Sequence, residues 1–169
     1  MTGLELEGAR LRDPDAGVDA MAIRWRDLDP LGHVNHEVFL TYLEHMRDRW
    51  LSRMSEGSLG PRDYVVGRVE VDFRAELTQE TGWINGICEL KSLGRSSVTT
   101  AESLTTPDGT LAATATAVLV MWDPMTRASR PLTQVERTLL SGTDASSDPN
   151  FPDETPTDEQ RGEPDGHAA

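Results

Sequence analysis

The sequence predicts an α+β domain in which one long helix packs against an antiparallel sheet of about five strands. Two observations support this fold class. Between residues 36 and 54 the large apolar side chains recur with helical spacing. From residue 64 to residue 122, apolar and polar residues alternate in segments that turn-forming residues separate. The helix therefore has an apolar stripe to bury, and the following strands form a sheet that can bury it.

The first strand and the long helix flank a polar loop. Residues 20–26 alternate between apolar and polar side chains, which predicts a strand. Residues 27–35 are dense in turn formers. The helix follows over residues 36–54, with Asn35 placed as its N-cap and Glu37 near the positive end of its dipole. Its apolar stripe consists of Phe39, Tyr42, Leu43, Met46, Trp50 and Met54.

Four more strands and a short helix are predicted downstream. The strands span residues 64–74, 83–91, 97–105 and 111–122. A Pro-Asp-Gly turn at residues 107–109 joins the last two strands as a hairpin. Residues 131–140 predict a final short helix with Pro131 in its first turn. Cys88 falls within a strand and is predicted to be a small core residue.

Length and charge define the domain organisation. A chain of 169 residues is the length of one domain. The net charge is −13, of which −7 lies in residues 143–169 and −3 in residues 1–19. Residues 143–169 contain few large apolar side chains, so this acidic tail is predicted to be disordered and residues 1–19 to be loose. We therefore expect the domain to span residues 20–142.

Composition also excludes several classes of function. An acidic chain lacks the basic footprint that sequence-independent nucleic-acid binding requires, and it does not suit an anionic membrane surface. No apolar run has the length of a membrane span, and residues 1–20 do not have the regions of a signal peptide. With one cysteine and four histidines, no metal site is expected. The sequence predicts a cytoplasmic protein that binds neither nucleic acid nor membranes.

The loop at residues 27–35, with the sequence DLDPLGHVN, contains the candidate reactive group. Asp29 lies just before the helix, and Gly32 permits close approach of the backbone. The first N–H groups of the helix have no intrahelical partners and form the positive end of its dipole. A carboxylate facing these donors, in a cleft lined by Val34 and its neighbours, is suited to acyl transfer, either by attack on a carbonyl carbon or by activation of water. Alternatively, Asp29 only shapes a turn.

Three other residues near the loop have two interpretations each. His33 either contacts a substrate or packs the loop. Asn35 caps the helix, donates to a substrate, or does both. Glu44 is a candidate catalytic carboxylate on the helix, but it lies three residues before Arg47, which is the spacing of a surface ion pair.

Asp27 is predicted to be structural. A carboxylate at the start of a loop commonly accepts local backbone hydrogen bonds. Alternatively, Asp27 is a partner for Arg24 or Arg26, the neighbouring cations.

These motifs resemble the hotdog-fold acyl-CoA thioesterases of the 4-hydroxybenzoyl-CoA thioesterase type. Asp-Pro-Leu-Gly-His-Val-Asn at residues 29–35 and Tyr-Leu-Glu at residues 42–44 carry the resemblance. It continues downstream through Val-Gly-Arg at residues 66–68 and Leu-Gly-Arg-Ser-Ser at residues 93–97, and so covers about residues 20–142. Two positions depart from the family pattern, with Phe73 in place of the more frequent Tyr and His36 in place of a second Asn.

The resemblance implies a hotdog fold, in which the sheet wraps the central helix, and hydrolysis of an acyl-CoA to a free acid and CoA. It implies that Asp29 is the nucleophile or general base and that His33 and Asn35 line the site. Some members place a catalytic carboxylate on the central helix, the element that carries Glu44. No cofactor is implied beyond CoA as part of the substrate.

CoA carries three phosphate groups, so its site should present cations on an otherwise acidic protein. The candidate binding residues are Gly94, Arg95, Ser96 and Ser97, with Arg68 as a weaker candidate. Their spacing fits a solvated turn equally well, and the resemblance favours CoA binding. Family members are homodimers or homotetramers with active sites at subunit interfaces. The resemblance thus implies that Asp29 and Arg95 serve one site from different chains.

Two alternative functions stay open at this stage. Another enzyme on the same fold would act on carrier-protein thioesters or hydrate enoyl thioesters. A hydratase or dehydratase would use an acid/base pair such as Asp29 and His33 and would release no thiol. A non-catalytic acyl-CoA-binding protein would bind the thioester without hydrolysing it.

Overall fold

A computed structural model describes residues 18–142. The predicted acidic tail at residues 143–169 and most of the predicted loose segment at residues 1–19 lie outside the described residues. Single 3-10 turns occur at Trp25–Asp27 and Gln79–Thr81. The strands and helices in chain order are β1 (Val18–Ala22), α1 (His36–Met54), β2 (Tyr64–Phe73), β3 (Trp83–Leu93), β4 (Ser97–Thr105), β5 (Leu111–Asp123), β6 (Ala128–Ser129) and α2 (Gln134–Ser141).

The sheet is antiparallel throughout and has the strand order β1-β3-β4-β5-β2. The short strand β6 pairs with the end of β5. The long helix α1 lies between the two edge strands in sequence and packs on one face of the sheet. The predicted α+β hotdog architecture, with a five-stranded antiparallel sheet, one long helix and a short C-terminal helix, is confirmed.

Helix α1 approaches the sheet closely at Gly86 in β3. A Cβ atom on Gly86 would lie 2.5 Å from the sulfur of Met46 on the helix, so a larger residue would require the Met46 side chain to move. The predicted apolar stripe is buried, except that Met54 is only partly covered. Cys88 is a core residue, as predicted. Within residues 18–142, no helix has both the length and the apolar character needed to cross a bilayer.

The first strand is shorter than the alternation of residues 20–26 suggests. The backbone N–H of Arg24 donates to the Asp27 carboxylate at 2.7 Å and turns the chain away from the sheet. The side chain of Trp25, which continues the apolar alternation, is therefore 84% exposed. A local side-chain acceptor has replaced a ladder hydrogen bond here.

The last helix begins at Gln134 and not at residue 131. Thr133 is its N-cap, since its hydroxyl accepts a hydrogen bond from the N–H of Glu136 at 3.2 Å. The Glu136 carboxylate accepts in return from the N–H of Thr133 at 2.8 Å. This reciprocal capping box fixes the start of α2 three residues after Pro131.

Strand β2 forms one edge of the sheet and is exposed on both faces over most of its length. Its register against β5 shifts between Val66 and Arg68, which places a bulge at Gly67. Val65, Val66 and Phe73 are between 40% and 51% exposed. The open side of β2 has no strand partner within residues 18–142.

Candidate active site

The Asp29 carboxylate is held by the backbone of its own loop. Its Oδ1 atom accepts hydrogen bonds from the N–H groups of Leu31, at 2.8 Å, and His33, at 3.2 Å. The N–H of Asp29 donates to the carbonyl oxygen of His33 at 2.7 Å. Among the described residues no donor bonds to Oδ2, so one carboxylate oxygen is fixed and the other is available to a reacting group.

Gly32 forms the turn of this loop. Its φ of +83° lies in the left-handed region, which favours glycine, and its N–H donates to the Asp29 carbonyl oxygen at 3.0 Å. A bridge between Leu28 and Val34 closes the base of the loop. Val34 is 5% exposed and belongs to the core, so its side chain supports the loop from below.

The segment that follows β2 runs beside the loop. The N–H of Val34 donates to the carbonyl oxygen of Leu77 at 2.7 Å, and His33 forms a bridge with Thr78. The imidazole Nε2 of His33 lies 2.9 Å from a carboxylate oxygen of Glu76. No pattern in the sequence signals this contact, because the two residues are far apart in the chain. Both side chains are substantially exposed, so His33 lies at the surface of the site and not inside the loop.

Asn35 is the N-cap of α1, as predicted. Its side-chain oxygen accepts a hydrogen bond from the N–H of Glu37 at 3.0 Å. Its own N–H donates to the carbonyl oxygen of Asp27 at 2.8 Å, so the cap is tied to the first residue of the loop. His36 is the first residue of α1 and is exposed.

Asp27 is a buried loop hydrogen-bonder, as the sequence indicates. Its Oδ2 atom accepts from the backbone N–H of Arg24 at 2.7 Å and from the hydroxyl of Tyr42 at 2.8 Å. Among residues 18–142, Asp27 forms no ion pair with Arg24 or Arg26. The helical pattern places Tyr42 in the apolar stripe and misses the contact that its hydroxyl makes.

The predicted surface pair between Glu44 and Arg47 is wrong. Arg47 is 2% exposed and forms a two-point ion pair with Glu102 of β4, with distances of 2.8 and 3.0 Å. The hydroxyl of Thr100 donates to the same carboxylate at 2.6 Å. Glu44 is exposed and forms no ion pair in the described part of the chain. It lies about 13 Å from Asn35 along the helix axis, since each helical residue adds about 1.5 Å.

The turn at residues 94–97 is tightly held by its backbone. The N–H of Gly94 donates to the carbonyl oxygen of Ser97 at 2.8 Å. A Cβ atom on Gly94 would lie 2.5 Å from the Ser97 hydroxyl, so a larger residue would require this hydroxyl to move. The carbonyl oxygen of Gly94 accepts from the guanidinium of Arg137 in α2 at 2.7 Å. The turn is therefore part of the packing of α2 and is not a loose solvated connection.

The charged side chain of Arg95 takes no part in the hydrogen bonds that hold this turn. Its carbonyl oxygen accepts from the N–H of Leu132 at 2.9 Å, while its side chain is exposed and forms no ion pair within residues 18–142. The other candidate cation, Arg68, already pairs with Glu70 on the same strand. Arg95 is thus the better placed of the two to bind an anion.

Asp29 and Arg95 lie at opposite ends of the sheet. The N–H groups of Arg74 and Ala75, beside the Asp29 loop, donate to Ala112 near the start of β5. The turn at residues 94–97 bonds to Met121 near the end of β5. At about 3.3 Å per strand residue, the ends are roughly 30 Å apart. We call them the loop end (residues 27–35 with 74–78) and the turn end (residues 94–97 with α2). One chain does not bring Asp29 and Arg95 together.

Two other features lie away from these residues. An open cleft of about 530 Å³ is lined by residues 70–72 and 114–116 and contains none of the predicted site residues. This polar surface cleft presents no fixed reacting group comparable to the Asp29 carboxylate. In the part of the chain that the structure describes, no group of three or more His, Cys, Asp or Glu is arranged to hold a metal ion.

Comparisons with known proteins agree on the family. A profile of the thioesterase-like superfamily matches residues 23–154. A thioesterase from Thermus thermophilus, solved in complex with coenzyme A and zinc, is 34% identical, with a TM-score of 0.67 over 74% of this chain and 91% of that one. A comparison with curated protein sequences gives no match.

More distant structures show the fold alone. A predicted thioesterase from Bacillus stearothermophilus is 20% identical, with a TM-score of 0.66 over 75% of this chain and 95% of that chain. A Staphylococcus aureus protein solved in complex with CoA is 14% identical, with a TM-score of 0.67 over 75% of this chain and 82% of the other. Since the family profile covers most of the chain and the Thermus protein is similar over nearly its whole length, the chain belongs to the thioesterase-like superfamily.

Proposed function

We propose that this protein hydrolyses acyl-CoA thioesters to a free acid and CoA, as the 4-hydroxybenzoyl-CoA type of hotdog thioesterase does. The observation that carries the proposal is the Asp29 carboxylate, fixed through one oxygen by two backbone N–H groups just before a helix. Membership of the thioesterase-like superfamily supports a thioester hydrolase. The coenzyme A bound to the similar Thermus protein supports CoA esters as the substrate class.

Asp29 has two ways to cleave the thioester. As a nucleophile, its carboxylate attacks the carbonyl carbon, expels the CoA thiolate and leaves a mixed anhydride that water hydrolyses. As a general base, it removes a proton from the water that attacks the carbonyl. In both routes Oδ2 is the reacting oxygen, because the loop N–H groups occupy Oδ1.

The start of α1 supplies donors for the oxyanion that develops on the thioester. The N–H groups of Glu37 and Val38 already donate to the side chain and the carbonyl of Asn35. The N–H of His36 bonds to no acceptor among the described residues, so we assign it to the substrate carbonyl. His33, at the surface of the loop, is assigned to substrate contact. We assign no step to Glu44, because it lies well along the helix from Asp29.

We also propose that the active unit is a homodimer paired through β2. Strand β2 starts at the turn end, where Tyr64 pairs with Met121, and finishes at the loop end, where Phe73 pairs with Ala113. Antiparallel pairing of two β2 edges about a twofold axis would set the loop end of one chain beside the turn end of the other. Asp29 would then share a site with Arg95 of the partner subunit, whose guanidinium binds CoA phosphate.

The test is thiol release from a panel of aromatic and aliphatic acyl-CoAs by the wild type and by Asp29→Asn. We expect the variant to lose at least about 100-fold in kcat, since it lacks the reacting carboxylate. Its circular dichroism and melting temperature should stay close to those of the wild type. Glu89→Gln is the matched control, because Glu89 is an exposed carboxylate far from the loop, and it should keep the wild-type rate.

Two results would overturn the proposal. If the wild type releases no thiol but acyl-CoAs raise its melting temperature, the site binds thioesters without hydrolysing them. If enoyl-CoA loses its double bond without thiol release, the protein is a hydratase.

A further inference from the structure

We infer that the buried hydrogen bond between Tyr42 and Asp27 positions the Asp29 carboxylate for the reaction. Neither residue reaches the reacting atoms, so both are positioning residues that act through the loop. The inference rests on the proposed function, because that function gives Asp29 its reacting role.

Asp27 is the point at which three segments of the chain meet. Its carboxylate accepts from the N–H of Arg24, at the end of the first strand, and from the hydroxyl of Tyr42 on α1. Its carbonyl oxygen accepts from the N–H of Asn35, the N-cap of α1. The two ends of the Asp29 loop are thus joined through Asp27, and the side chain of Asp27 ties this joint to the body of the helix.

Tyr42 is suited to hold this joint at neutral pH. It lies about two helical turns beyond Asn35 and is 7% exposed. Burial, together with the hydrogen bond and the negative charge of Asp27, raises the pKa of Tyr42 above its ordinary value. The phenol therefore stays protonated at neutral pH and keeps donating its hydrogen bond.

Asp27 depends on this donor. Its side chain is buried, with the whole residue 8% exposed, and it has no ion-pair partner within residues 18–142. Removing the Tyr42 hydroxyl would leave the carboxylate oxygen with one hydrogen bond in a site that excludes water, a costly arrangement. We expect Asp27 to shift towards solvent in response and to carry the loop with it.

A second tyrosine, which also donates a hydrogen bond to a carboxylate, provides the matched control. The hydroxyl of Tyr64 in β2 donates to the carboxylate of Asp48 on α1 at 2.5 Å, and Tyr64 is also 7% exposed. The two tyrosines match in burial and in the chemistry of their hydrogen bonds, although Asp48 is more exposed than Asp27. The difference is that Tyr64 lies at the start of β2, away from the loop end of its own chain.

The experiment compares Tyr42→Phe with Tyr64→Phe in the thiol-release assay. We expect Tyr42→Phe to lower kcat by about tenfold with KM within about twofold, because small errors in placing a reacting group are costly to rate. We expect Tyr64→Phe to keep kcat within about twofold, although both variants lose a buried hydrogen bond and melt at lower temperature. Equal losses of kcat in the two variants would reduce the role of Tyr42 to helix stability and overturn the inference.

Hydrogen exchange over residues 27–36 provides a measurement that does not depend on activity. The N–H groups of His33 and Asn35 should exchange faster in Tyr42→Phe and at the wild-type rate in Tyr64→Phe, because they bond to Asp29 and Asp27. Unchanged exchange in Tyr42→Phe would overturn the inference. If the wild type releases no thiol from any ester, the proposed function fails, and hydrogen exchange still decides whether Tyr42 holds the loop.

Discussion

The loop end and the turn end of the sheet differ in the atoms that they leave available. At the loop end backbone N–H groups bond to one carboxylate oxygen of Asp29, and the other carboxylate oxygen stays available to a ligand. At the turn end the backbone is hydrogen-bonded to β5 and to the segment before α2, and the guanidinium of Arg95 stays available to a ligand. In each case a rigid backbone presents one charged group, and the two charges have opposite sign. Neither end has both the proposed reacting carboxylate and the proposed phosphate-binding guanidinium.

The largest expected effect tests whether the two ends work together across subunits. Asp29→Asn and Arg95→Ala should each impair hydrolysis at low acyl-CoA concentration. When the two impaired variants are mixed and their subunits exchanged, half of the dimers are hybrids, and each hybrid regains one intact site. We expect activity to rise to about a quarter of the wild-type rate. The measurement is thiol release before and after subunit exchange.

A control measurement tests whether the exchange procedure itself restores activity. Each variant exchanged only with itself should stay at its starting activity. No recovery in hybrids that light scattering shows to be dimeric would mean that Asp29 and Arg95 do not share a site across the interface.

A smaller effect tests the role of the turn end alone. Arg95→Ala should raise KM for an acyl-CoA by about tenfold with little change in kcat, because the guanidinium binds phosphate in both the ground state and the transition state. The matched comparison is the same acyl group on pantetheine, which lacks the nucleotide phosphates. For that ester, Arg95→Ala and the wild type should have equal KM values, and an equal rise in both would contradict phosphate binding.

The smallest effect concerns the stability of the turn end in acid. Although partial burial alone raises the pKa of Glu136, the hydrogen bonds from Arg130 and Thr133 outweigh it and hold the pKa below its ordinary value. The ionised carboxylate therefore stabilises α2 at pH values above 4.5, and this contribution is lost as the pH falls through the lowered pKa.

Glu136→Gln should accordingly reduce the free energy of unfolding at pH 7 by about 1 kcal/mol. The difference between wild type and variant should shrink when denaturant titrations are repeated below pH 4.5, the ordinary value for this carboxyl group. A difference that is the same at both pH values would show that the charge of Glu136 does not stabilise the turn end.

Much of the fold was predictable because local signals agree with the tertiary structure. Helix α1 spans the predicted residues, since its apolar spacing and the Asn35 cap specify the same start. The first strand was predicted too long, because alternation continues through Trp25 while the Asp27 carboxylate turns the backbone. A side-chain acceptor of this kind leaves no trace in a hydrophobic pattern.

The site was predictable only in its local part. The loop sequence identifies Asp29 and the cap residue because turn residues and capping chemistry act over a few positions. The partner of Arg47 was not predictable, since Glu102 lies in a strand that only folding brings beneath the helix. The same holds for the hydroxyl of Tyr42, whose role depends on a buried carboxylate and not on helical spacing.

The buried pair between Arg47 and Glu102 limits how the protein can move. A slide of α1 along the sheet by one turn, about 5.4 Å, would leave the Glu102 carboxylate without its cation in a site that excludes water. Breaking such a pair costs about 3–5 kcal/mol. The helix therefore has one stable position on the sheet. In the proposed reaction, entry of the acyl group and departure of the acid would then require displacement of the loop or, in the proposed dimer, of one subunit against the other, while α1 stays in place.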